Sequence, residues 1–84
     1  MTENALIGYS EQFKRMLAEA AEREYNREWD VGDYYNAAKI ALTQREIYQE
    51  GDGRYAYWDL KAKQALVAFR ASEPEFFLKI IERE

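Results

Sequence analysis

Carboxylates, lysines, tyrosines and serines are the reactive groups available to this chain of 84 residues, for it contains neither Cys nor His. Without His it lacks the commonest general base, and without Cys the commonest activated nucleophile. Missing Cys also removes any thiolate zinc site or disulfide framework and suits a reducing compartment. Gly51-Asp52-Gly53 has neither the spacing nor the preceding strand of a phosphate-cradling loop. Acidic residues do not fall around these glycines at the positions an EF-hand requires.

Two carboxylate pairs, Glu19-x-x-Glu22 and Asp30-x-x-Asp33, have the spacing with which all-helical pyrophosphohydrolases hold magnesium. Each has a simpler explanation. Glu19 belongs to a series of alternating charges, Glu11, Arg15, Glu19 and Arg23, at successive i,i+4 steps, a solvated ion-pair ladder. Asp30 and Asp33 are suited to capping helices. The chain is therefore expected to be non-catalytic, with no metal and no cofactor.

Aromatic placement suggests a binding role instead. Tyr25, Trp29, Tyr34, Tyr35, Tyr48, Tyr55, Tyr57 and Trp58 crowd the middle of the chain, whereas Phe is confined to positions 13, 69, 76 and 77. Helical phase assigns Tyr34, Tyr55 and Trp58 to the interior and leaves Tyr25, Trp29, Tyr35 and Tyr57 for the surface, where a flat apolar body with a polar tip suits an interface. Glu22, Glu24, Glu28, Asp30 and Asp33 frame Tyr25 and Trp29 within twelve residues. This acidic corner predicts a small inhibitor, adaptor or antitoxin-like protein that meets a basic protein surface through Glu22, Tyr25, Glu28, Trp29, Asp30, Asp33, Tyr35 and Tyr57. Two alternatives are imitation of nucleic acid by surface carboxylates, which the interspersed cations weaken, and an oligomeric structural subunit.

Helical spacing runs through almost the whole chain, and no window alternates with period two long enough for a strand. The expected fold is all-α, an antiparallel bundle of about four helices in one domain. The first begins near Thr2 or Ser10 and reaches about Glu28, with Leu6, Phe13, Met16, Leu17 and Ala20 on one stripe and a possible break at Gly8. Gly32 makes a corner and Asp33 caps the second helix, about Tyr34 to Glu50. Gly51 suits the left-handed position after it and Asp52 caps a third helix, about Arg54 to Ala71. Ser72-Glu73-Pro74-Glu75 has the form of a capping box opening a last helix that carries Phe76, Phe77, Ile80 and Ile81.

The third helix is apolar on two faces: Tyr55, Trp58, Ala62, Ala65, Leu66 and Phe69 on one, Tyr57, Leu60, Val67, Ala68 and Ala71 on the other. Such a helix is central in its bundle or touches another chain, and cover by the last helix is the simpler expectation. Glu24, Arg27 and Arg45 interrupt apolar stripes. If the first two helices are antiparallel neighbours, Glu24 and Arg45 form a partly buried charge pair.

Twelve basic against sixteen acidic residues give a net charge of −4, which argues against direct nucleic-acid binding. The start, Met1-Thr2-Glu3-Asn4, lacks the basic residues of a signal peptide, and no apolar run is long enough to span a bilayer, so a cytoplasmic protein without membrane contact is expected. Twelve of the apolar residues are Ala, so the core must be modest, and completion by another protein or a second copy is in keeping with it.

Overall fold

The computed structural model of the protein describes residues 10–83, which form four α-helices: α1 (Glu11–Asp30), α2 (Tyr34–Arg45), α3 (Gly53–Ser72) and α4 (Pro74–Arg83). Among the described residues there is no strand, and the all-α bundle expected from the periodicity is what forms. Leu6, the possible break at Gly8 and the alternative start at Thr2 lie outside the described residues.

Local chemistry sets most boundaries. The Ser10 hydroxyl accepts from the Phe13 amide at 3.1 Å, so α1 starts at the second of its two possible positions. At the other end Gly32 has φ +82°, its amide donates to the Trp29 carbonyl at 3.0 Å, and the Asp33 amide donates to the Glu28 carbonyl at 2.8 Å. This pair of bonds is a Schellman motif with Gly32 in the left-handed position. Asp33 then opens α2, its carboxylate accepting from the Asn36 amide at 3.1 Å and the Asn36 side chain at 2.7 Å. Asp52 opens α3 in the same way, accepting from the Arg54 amide at 2.8 Å.

Three expected boundaries move. The second helix stops at Arg45 rather than Glu50, because the Ile47 and Tyr48 amides turn to carbonyls only three residues back, Gln44 and Arg45, at 3.1 Å each. The tightened turn carries Tyr48 into the core. Gly51 is therefore not a left-handed cap, and Gly32 alone among the described residues has a positive φ. The Ser72 capping box does not form either. Ser72 ends α3, and its hydroxyl donates back to the Phe69 carbonyl. Glu73, forced out of the helical region by the ring of Pro74, breaks the chain between α3 and α4.

Packing is built around α2. Ala37, Ala38 and Ala41 on α2, with Ala21 on α1 and Ala62 and Ala65 on α3, are all buried. Alanine adds so little bulk that helices can approach closely on both sides of α2. α3 runs antiparallel to α2: Arg45 meets Asp59 at 2.8 Å, and ten residues earlier Tyr35 packs on Phe69, ring centroids 5.4 Å apart. α1 also packs against α2, and comes to lie beside α3 in the same direction, Glu11 opposite Arg54 and Glu22 opposite Lys61.

The central helix is thus α2, and the expectation that the last helix covers the second face of α3 fails. Trp58, Ala62, Ala65 and Phe69 are buried as the first-face reading requires, but Leu60 and Val67 are 57% and 69% exposed. α4 reaches only the other side of α3, where Phe76 and Phe77 set their rings edge-on to Phe69 with centroids 6.0 and 5.8 Å away.

Candidate interaction cleft between the first and third helices

Because α1 and α3 both pack on α2, they face each other across a gap bridged by side chains. A cleft of about 780 Å³ results, walled by Glu11, Arg15, Glu19, Glu22 and Arg23 of α1 and by Arg54 and Tyr57 of α3, with Tyr48 and Trp58 forming its floor. The charges read as a ladder on α1 therefore line this cleft. Glu11 pairs with Arg54 across the gap and with Lys14, not with Arg15.

Two clusters close the ends. Arg54 stacks its guanidinium 4.5 Å from the centre of the Tyr48 ring and donates to Glu11 and to both carboxylate oxygens of Asp52. The side-chain and backbone hydrogen bonds from Arg54 pull the Asp52 carboxyl down to about 2, and the same guanidinium lowers the pKa of Glu11. At the other end the Tyr57 hydroxyl donates to Glu22 at 2.8 Å and Lys61 Nζ reaches the same carboxylate at 3.1 Å. Lys61 Nζ also sits 4.5 Å from the centre of the Tyr25 ring, while the Tyr25 hydroxyl donates to the Lys61 carbonyl at 2.9 Å.

This second cluster ties α1 to α3 through four side chains. Burial pushes the Tyr25 hydroxyl up, and burial followed by the bond to Glu22 does the same for Tyr57. Burial disfavours the Lys61 ammonium, but its hydrogen bond to Glu22 and that residue's charge outweigh the effect, so its pKa is raised.

The residues assigned to one acidic corner are dispersed. Tyr25 is only 4% exposed, a core residue rather than a surface aromatic, because it fills the angle between α1 and α3. Glu22 is taken up by Tyr57 and Lys61, and Asp33 by Asn36. Glu28 faces α2, lining a groove with Asn36 and Lys39. Tyr35 lies on another side, between Phe69 and Lys39. Trp29 and Asp30 stay together at the exposed end of α1, the indole stacked on Tyr25 with centroids 6.0 Å apart and edge-on to Tyr34 at 4.9 Å. Tyr57 is accessible in the cleft, together with Glu22 but away from Asp30.

The expected charge pair between Glu24 and Arg45 does not form. Arg45 bonds Asp59 at 2.8 Å and Glu46 at 3.1 Å and lies over Tyr55, and Glu24 makes no ion pair with it. Asp59 in turn holds Lys63 at 2.9 Å, and the two cations lower its pKa. The reason is register. A hairpin turning about Gly32 sets residues whose numbers sum to roughly 64 opposite each other, which places Glu24 near Ile40, five residues short of Arg45. A hairpin turning about Asp52 pairs numbers summing to 104, which are Arg45 with Asp59 and Tyr35 with Phe69. That arithmetic was available from the glycines at 51 and 53, and it is the signal by which Asp59 could have been found.

Among the described residues no group of three or more acidic side chains could hold a metal ion, and no helix is long and apolar enough to cross a membrane. Both carboxylate pairs contain a residue already engaged, Glu22 in one and Asp33 in the other. Comparison with protein-family models, with curated proteins and with solved structures finds no match to this chain.

Proposed function

We propose that this protein is a non-catalytic interaction module that holds a segment of another protein in the cleft between α1 and α3. The observation that supports this reading is the cleft itself, about 780 Å³ in volume, floored by aromatic side chains and rimmed by Tyr57 and by charges on α1. A pocket with an apolar floor and a few placed polar groups is the usual form of a recognition site. Trp29 at the end of α1 supplies a second anchor, and Asp30 beside it, with the net charge of −4, favours approach of a basic surface.

The test is a partner captured from the native cell and then titrated with purified variants. Tyr57→Ala and Trp29→Ala are each expected to weaken binding by about tenfold or more, as truncation of an aromatic anchor does. Asp30→Lys should slow association most at low salt. Unchanged affinity in all three variants, with helicity retained, would reject the assignment.

A further inference from the structure

Gln44 is 6% exposed, its Oε1 atom is buried without a partner, and among the described residues its Nε2 atom donates to nothing. A buried amide is nearly always hydrogen-bonded, because leaving it unpaired forfeits its hydration for no return. A molecule bound beside it supplies what the chain does not.

Gln44 lines a groove of about 440 Å³ between α1 and α2. The α1 wall is the stripe Leu17, Ala21, Glu24 and Glu28, at steps of four, three and four, whereas Arg15, Ala18 and Glu22 face the cleft towards α3. At about 100° per residue these stripes lie on different sides of α1, so the groove is a separate site.

The groove has an order along its length. The hairpin about Gly32 sets Gln44 opposite Ala20, Ile40 opposite Glu24 and Asn36 opposite Glu28. Around Gln44 the walls are apolar, with Leu17, Ala20 and Ala21 on α1 and Ile40 one turn along α2. The far end carries Glu24 and Glu28, neither of which has an ion pair among the described residues. Lys39 shares the groove but lies over the Tyr35 ring at 5.2 Å, which leaves two carboxylates against one ammonium. Gln44 and Asn36 are eight residues apart on α2, about 12 Å, a distance that an extended chain spans in about four residues.

We propose that this groove binds an extended peptide segment of another protein in which an apolar side chain and an Arg or Lys stand about three residues apart. A peptide group offers one donor and one acceptor, and the Gln44 amide offers both, so the two are matched. The apolar side chain rests on Leu17, Ala20 and Ile40. The basic one reaches Glu24 and Glu28, whose charge selects it. This site does not rest on the cleft between α1 and α3.

The probes are two blocked hexapeptides, acetyl-Ala-Leu-Ala-Ala-Arg-Ala-amide and the same residues in reverse order, each with a counterpart in which Glu replaces Arg. They are titrated into the ¹⁵N-labelled full chain and followed by NMR. One Arg peptide should move the side-chain amide signals of Gln44, and its Glu counterpart should bind about tenfold more weakly or less. Gln44→Met should weaken the Arg peptide by about tenfold or more while circular dichroism shows the helices retained. Glu24→Gln with Glu28→Gln should weaken it too and remove most of its salt dependence. Absence of binding by both Arg peptides at millimolar concentration would overturn the proposal and assign the Gln44 amide to water alone. So would equal affinity for the Gln44→Met protein or for the Glu peptides. Shifts confined to Tyr57 and Trp58 would overturn it as well, while leaving the cleft as the binding site.

Discussion

Replacing Gly32 by Ala isolates one backbone conformation and measures what it contributes. Gly32 sits at φ +82°, where an L-residue with a Cβ costs roughly 1–2 kcal/mol. Nothing lies within 4 Å of the added carbon, so no steric clash accompanies that strain. The substitution also stiffens the unfolded chain, which offsets roughly 0.4–1 kcal/mol. The net loss is about 1 kcal/mol, or a melting temperature lowered by roughly 4–8 °C in a domain of this size. Gly51→Ala is the control. Gly51 is outside the left-handed region and has equally open surroundings, so only the unfolded-state term remains and the variant should gain roughly 0.4–1 kcal/mol. Thermal and urea unfolding followed by circular dichroism reads both. If Gly32→Ala were as stable as the parent, or if Gly51→Ala lost as much as Gly32→Ala, the placement of the left-handed turn after α1 would be wrong.

Further outcomes concern polar groups in and around the core. Gln44 is buried with its Oε1 atom unpaired within the protein, so Gln44→Met, which keeps the shape and removes the polar atom, should raise stability by about 1 kcal/mol in urea unfolding; a loss would show that the amide is satisfied in solution. In a double-mutant cycle Arg45→Met with Asp59→Asn should give losses that do not add, while Arg45→Met with Glu24→Gln should be additive; the reverse pattern would refute the observed pairing. Acid should loosen the protein in a defined window. The folded-state pKa of Asp52 is depressed to about 2 and those of Glu11 and Asp59 are lowered, so their stabilisation is present above the unfolded carboxylate range near 4 and is lost as pH falls from there towards about 2. Asp52→Asn should flatten that part of the stability profile, and an unaltered profile would count against the Arg54 cluster.

What the amino-acid order determined by itself was local. Ser10, Asp33 and Asp52 each satisfy amides two or three residues further on, so their caps could be read without knowing any neighbour, and the two apolar faces of α3 follow from spacing alone. Ser72 looked equally convincing, but its hydroxyl had a competing acceptor at Phe69 once α3 continued to its position. The candidate cleft was legible only in part. The sequence marks Tyr57 and Glu22 as site residues, yet as members of a corner near Trp29, and its helical phase puts Tyr25 on the surface. Tertiary structure decided those roles, because burial of an aromatic on a helix depends on which helix lies beside it. Alanines 37, 38 and 41 let α2 occupy the middle, which brought α1 and α3 side by side, turned Tyr25 inward and left Leu60 and Val67 uncovered. Spacing along one helix specifies which residues share a face, and only the packing of the others determines what that face meets.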